Sequence, residues 1–80
     1  MQRTIRNRLY DTDTATLIQR FVSGHYGDPA GYEECLFRTP DGYYFLYGIG
    51  GEESPYAVES IRSVSAASAE KWQESHPETF

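Results

Sequence analysis

Tyr32–Arg38 reads YEECLFR, Thr39–Gly42 reads TPDG and Tyr43–Ile49 reads YYFLYGI. The two outer runs are rich in aromatic and aliphatic residues that suit a pleated, half-buried surface. The four residues between them carry turn chemistry. Pro40 presets φ for the first central position, Asp41 suits the second, and Gly42 accepts a positive φ afterwards. Two such runs around such a turn predict an antiparallel hairpin over residues 32–49.

Successive side chains on a strand point to opposite faces, so the hairpin divides into two sets. Cys35, Phe37, Tyr43, Phe45 and Tyr47 fall on one face, and Leu36, Tyr44 and Leu46 on the other. An antiparallel sheet with one wet face alternates more cleanly than this. Two arrangements fit: both faces are covered, or one carries an exposed tyrosine-rich patch of the kind common at interfaces. Glu33 and Glu34 are adjacent, so a strand sends them to opposite faces and they cannot share a proton.

Past the hairpin, Gly48–Pro55 reads GIGGEESP, a strand end opening into a loop, and a further short strand is expected near Glu59–Val64. A helix follows. Ser65 is a good N-cap, Val64 before it can staple onto Ala69, and Pro77 ends the helix. Ala69, Trp72, Gln73 and His76 recur at helical spacing, which makes Trp72 the anchor of this helix on the sheet.

Residues before the hairpin read two ways. As a helix capped at Asp13, the segment puts Ala15, Ile18 and Val22 on one face. As strands, Arg3–Asp11 and Thr14–Ser23 flank a tight DTDT turn, which the β-branched composition favours. His25–Gly31, HYGDPAG, is then a loop. The resulting expectation is one α+β domain over residues 1–80. It has an antiparallel sheet of about four to five strands centred on the 32–49 hairpin, with a single C-terminal helix packed on it.

A chain of 80 residues buries only about 60–65% of its unfolded surface, so its core is thin. Seven tyrosines, four phenylalanines and one tryptophan supply large apolar area per residue and argue against disorder. Net charge is −5, from 12 acidic and 7 basic residues. The distribution is uneven. Arg3, Arg6 and Arg8 make the start basic, whereas Asp28, Glu33, Glu34, Asp41, Glu52, Glu53 and Glu59 face Arg38 alone in the middle. Such a surface repels nucleic acid, whose affinity comes largely from Lys and Arg, and is steered towards basic partners. Acidic residues also keep a small domain soluble, so charge by itself does not name a partner.

Candidate chemistry is sparse. Gly48, Gly50 and Gly51 lack the GxxxxGK[ST] of a phosphate loop and run into Glu52 and Glu53, which repel phosphate. Asp11 and Asp13 in YDTDT offer oxygens to a cation, but the EF-hand pattern is broken at Ala15, and the same residues make ordinary Asx turns. Cys35 is a single cysteine without a CxxC partner. A Cys35–His25 nucleophile pair is possible on composition, yet a thiol in mid-strand among Leu36 and Phe37 reads as a small buried hydrophobe. No catalytic, metal or cofactor site is expected, and no enzyme activity. No run of about 18 apolar residues is present, and MQRTIRNRLY has no apolar segment behind it. A soluble, cytoplasmic protein is the expectation.

RLYDTDTA (Arg8–Ala15), YEECLFRTPDGYYFLYGIGG (Tyr32–Gly51), SPYA (Ser54–Ala57) and S-x-x-x-A-x-x-W (Ser65–Trp72) together resemble a group of small proteins encoded by phages and integrating elements. The most specific parts are YDT-x-TA and R-T-x-x-G-x-Y-F-L-Y-G-x-G-G. The chain is similar to anti-CRISPR proteins that disable type I systems, type I-C among them. That resemblance implies a crRNA-guided surveillance complex (Cascade) in a bacterial cytoplasm as partner, inhibition by occupying a basic DNA-binding surface, and no catalytic residues.

On composition and position, the contact candidates are Glu33, Asp41, Glu52 and Glu53, with Tyr43, Tyr44 and Tyr56 as aromatic partners. Two other readings compete. One is a nucleic-acid-binding accessory protein of a mobile element using Arg3, Arg6, Arg8 and Arg20. The other is a structural or host-takeover interaction module.

Overall fold

A computed structural model of the protein describes residues 1–24 and 27–78; His25, and with it any Cys35–His25 pairing, lies outside the described residues. Among the described residues, six strands and one helix follow one another. They are β1 (Gln2–Ile5), β2 (Arg8–Asp11), β3 (Thr16–Ser23), β4 (Tyr32–Arg38), β5 (Tyr44–Gly50), β6 (Ser60–Val64) and α1 (Ala66–Ser75). The strands form two antiparallel sheets, a β1–β2 ribbon and a four-stranded meander in the order β3-β4-β5-β6. The architecture is the expected α+β arrangement, with β4–β5 at its centre and one C-terminal helix.

The β4–β5 turn follows its sequence. Gly42 N–H donates to the Thr39 carbonyl (2.9 Å), Thr39 N–H donates to the Tyr43 carbonyl (2.7 Å), and Gly42 adopts φ 92°. The Thr39 hydroxyl adds a bond from Tyr43 N–H (3.0 Å), which explains why a threonine is buried at a turn. Helix α1 also begins as its sequence predicts. Ser65 Oγ accepts from Ser68 N–H (3.1 Å), Val64 packs on the cluster containing Ala69, and Ala69 and Trp72 are the buried helix residues.

The end of α1 is held from another element. Gln19 on β3 donates its side-chain amide to the carbonyls of Gln73 (3.2 Å) and His76 (2.5 Å), groups a helix end otherwise leaves unpaired.

The N-terminal third differs from expectation. Residues 3–11 are not one strand: the chain reverses at Arg6 and Asn7, with φ of 52° and 65°, between the paired residues Ile5 and Arg8. Two consecutive positive φ values make the type I′ pattern, whose twist matches that of the strands it joins. Asn tolerates this conformation, but without an adjacent glycine the sequence signal is faint. The next strand begins at Thr16 rather than Thr14, because the DTDT turn occupies residues 11–14. There Asp13 N–H donates to Asp11 Oδ1 (2.9 Å) and Ala15 N–H to the Asp11 carbonyl (3.1 Å). The Asp11 carboxylate thus makes a local Asx turn.

Both faces of the meander are covered around Leu36, Phe45 and Leu46, and this accounts for the doubly apolar hairpin. On one, Leu36 and Leu46 meet Ala69 and Trp72 of α1, flanked by Ile18, Phe21, Tyr44 and Val64. On the other, Phe45 and Ile61 meet Tyr10 of the ribbon, with Ile5, Ala15, Phe37 and Tyr47 around them. Tyr10 stands edge-on to Phe45 (5.4 Å between centroids), and Phe37 stacks on Phe45 (5.2 Å). A ten-residue helix and a four-by-four ribbon therefore sandwich one sheet. No helix among the described residues is long and apolar enough to cross a membrane.

Candidate functional site

Strand pairing decides where each candidate side chain goes. Glu33 and Glu34 do point to opposite faces. On the ribbon side, Glu33 forms a two-point ion pair with Arg20 of β3: Nε to Oε1 at 3.0 Å and Nη2 to Oε2 at 3.2 Å. The guanidinium holds the Glu33 carboxyl below the usual carboxylate range, against the opposing effect of partial burial. The Cys35 thiol lies 3.2 Å from Glu33 Oε1 and is 5% exposed. Burial, then the neighbouring carboxylate, pushes the thiol up to about 12, so Cys35 is a protonated, unreactive thiol at neutral pH.

On the helix side, Glu34 is 6% exposed, and both its oxygens face partners within the chain. Tyr56 O–H donates to Oε2 (2.6 Å), and His76 Nε2 lies 3.5 Å from Oε1. Burial and the Glu34 bond push the Tyr56 phenol up to about 12. Phe21, Tyr32 and Trp72 complete an aromatic surround, with His76 stacked on Trp72 (4.8 Å) and edge-on to Phe21 (5.0 Å). This cluster braces the end of α1 and the 51–56 loop against β4. Its carboxylate is enclosed by its own side chains rather than presented to a substrate.

Tyr56 reaches Glu34 because Gly48 lies beneath it: a Cβ at Gly48 would overlap the Tyr56 ring. Gly50 and Gly51 likewise sit where a Cβ would meet Ser54, the Gly31 carbonyl and Pro29. The glycines of GIGG thus permit close approach between two loops. Gly51 N–H donates to the Gly31 carbonyl (2.9 Å), and Glu53 N–H to the Pro29 carbonyl (2.8 Å). The loops holding Asp28 and Glu52–Glu53 are thereby joined at one end of the sheet.

The seven contact candidates do not form one patch. Glu33, Glu52 and Glu53 lie at the end where these loops meet, joined there by Asp28, which the sequence reading left out of the contact set. Asp41 and Tyr43 lie at the opposite end of the β4–β5 hairpin, about 20 Å away by strand rise. Tyr43 is 42% exposed, but the Arg8 guanidinium carbon sits 3.4 Å from its ring centroid, a cation–π contact. Tyr44 packs on the core cluster beneath α1, and Tyr56 is committed to Glu34. The side chains that sequence reasoning missed are Val22 and Ile49. Each pairs with Glu33 from a neighbouring strand, and Ile49 is 42% exposed.

The arginines proposed for nucleic-acid contact are largely engaged. Arg3 Nη1 donates to the Ile61 carbonyl (2.8 Å), Arg8 covers Tyr43, and Arg20 pairs with Glu33. Arg3 and Arg8 pair with Tyr10 and Ile5, so they share the ribbon face turned to the sheet. Among the described residues, no group of three or more His, Cys, Asp or Glu side chains is placed to hold a metal ion.

Compared with known protein families, curated proteins and solved structures, the chain matches none. The resemblance to phage-encoded inhibitors therefore rests on its quoted segments alone.

Proposed function

We propose that the protein acts by occupancy: its acidic loop end docks on a Lys- and Arg-rich surface of a nucleic-acid-handling complex and denies that surface to nucleic acid. The observation that carries this reading is the joining of the 28–31 and 50–53 loops. It gathers Asp28, Glu33 and Glu52 around the exposed Ile49 at one end of the sheet, with Glu53 next along the joined loop. Carboxylates around an apolar centre suit a basic partner, the charges steering encounter and the apolar centre supplying contact area. Engagement of Arg3, Arg8 and Arg20 within the chain weighs against direct phosphate binding. Enclosure of Glu34 and Cys35 weighs against chemistry.

The partner implied by the sequence resemblance is the type I crRNA-guided surveillance complex, type I-C first, in the cytoplasm of a bacterial host. The test is capture of that complex by tagged protein, then a target-DNA binding assay on what is captured. Co-purification with loss of DNA binding supports occupancy. Absence of capture removes this complex as the partner. A gel shift of duplex DNA by the protein alone at low salt would favour the nucleic-acid-binding reading instead.

A further inference from the structure

On the ribbon side, side chains of the meander form three cross-strand rows. Leu17, Phe37, Phe45 and Ser63 make one, and Arg20, Cys35, Tyr47 and Ile61 the next. Val22, Glu33 and Ile49 make the third. The β1–β2 ribbon, through Tyr10 and Ile5, packs on Phe37 and Phe45 of the first row and Tyr47 and Ile61 of the second, while Leu17 stays half-exposed. The third row lines an open recess of about 640 Å³, together with Arg20, Asp28, Pro29 and Glu52.

We propose that this recess receives an arginine side chain of the partner protein; the proposal rests on the reading that the acidic loop end is the docking face. An arginine has an apolar stem and a flat cation at its tip. Val22, Ile49 and Pro29 offer the stem an apolar bed, and Asp28 and Glu52, which also line the recess, offer carboxylates to the guanidinium. The planar fork of Glu33 is already taken by Arg20. The Glu33 charge is balanced by Arg20, which also lines the recess, so the incoming cation is held by Asp28 and Glu52. Asp28 is fixed in place because its Oδ1 accepts from Ala30 N–H (2.9 Å). An anionic side chain would be repelled here, and a purely apolar one would desolvate carboxylates without pairing them. Lysine fits less well, since its compact ammonium is more strongly hydrated and lacks the planar fork for carboxylates. The volume lies within the roughly 300–1,000 Å³ range of built ligand pockets, so the partner backbone on either side of the arginine has room.

The test is an NMR titration of isotope-labelled protein with the capped tripeptide acetyl-Gly-Arg-Gly-amide. Its citrulline counterpart, of the same shape without the charge, serves as control. The arginine peptide should shift the backbone amides of Gly31, Ile49 and Gly50, with the citrulline peptide roughly tenfold weaker. Glu52→Gln and Asp28→Asn, the latter able to keep the bond to Ala30 through its amide oxygen, should each weaken binding about threefold to fivefold. Equal shifts from both peptides, shifts confined to other regions, or none across the millimolar range would overturn the proposal. The wild-type comparison decides it even if a variant fails to fold. A silent peptide with intact capture of the surveillance complex removes the recess and leaves the docking reading. Arginine-selective binding without capture does the reverse.

Discussion

Gly48→Ala is the substitution that most sharply probes how this small core is assembled. Gly48 has no positive φ, so alanine fits its backbone. Its new methyl group, however, would overlap Cδ1, Cε1 and Cζ of the Tyr56 ring. The ring must swing away, and the 2.6 Å bond from its hydroxyl to Glu34 breaks. Overpacking costs about 1–3 kcal/mol, and a lost hydrogen bond to a buried charged group about 1.5–3 kcal/mol. Together they remove about 2.5–6 kcal/mol from a domain of 80 residues whose whole stability is of order 4–12 kcal/mol. Urea unfolding followed by Trp72 fluorescence measures the loss, and a second background isolates its cause. With Tyr56→Ala already in place, Gly48→Ala should be neutral, or stabilising by about 0.5–1 kcal/mol, because glycine is a poor strand residue. A loss below about 1 kcal/mol in the wild-type background, or the same loss in both backgrounds, would refute the ring-over-glycine explanation.

Three further outcomes are expected. Trp72→Ala should cost about 3–5 kcal/mol, whereas Trp72→Phe should cost only about 1–2 kcal/mol; among the described residues the indole N–H has no acceptor, and circular dichroism can follow both variants. Replacing Arg6 and Asn7 by Asn and Gly should raise stability by about 1 kcal/mol, since it relieves positive φ at both turn positions; a lower urea midpoint would contradict the type I′ assignment. In alkaline absorbance titration, Tyr47 and Tyr56 should ionise near 12 rather than about 10. Folding favours the neutral phenols, so their stabilisation is complete below pH of about 10 and is lost as pH rises towards about 12. Glu59→Ala should return Tyr47 towards its ordinary value because that hydrogen bond (2.6 Å) is the main cause. Glu34→Gln should move Tyr56 less, since burial is the larger cause there.

What could be read from the chain was local. Pro40, Asp41 and Gly42 specify their turn through φ preferences, and Ser65 and Pro77 bound the helix, so both elements were legible. The Arg6–Asn7 reversal was not, because neither residue is a glycine and the flanking alternation continues through it. Coverage of both hairpin faces was legible as a requirement, but which elements supply it depends on long-range placement of Tyr10 and Trp72. The candidate site was the least legible part. Tyr43 and Tyr44 look alike in sequence, yet one lies under Arg8 and the other on the core beneath α1. The Val22–Glu33–Ile49 row exists only through the pairing of three strands, including an irregularity between Leu17 and Gln19 that shifts which residues of β3 face the ribbon. No periodicity within one segment carries that information.

The most direct test is capture of the type I-C surveillance complex by tagged wild-type protein and by a Glu52→Lys, Glu53→Lys variant, with association rates followed as salt is raised. Both side chains are exposed, so the variant should fold as the wild type does. Occupancy through the acidic end predicts that the wild type binds, loses association rate with salt and abolishes target-DNA binding. The variant should associate at least about tenfold more slowly. Equal capture by both proteins, or capture that leaves DNA binding intact, would contradict it.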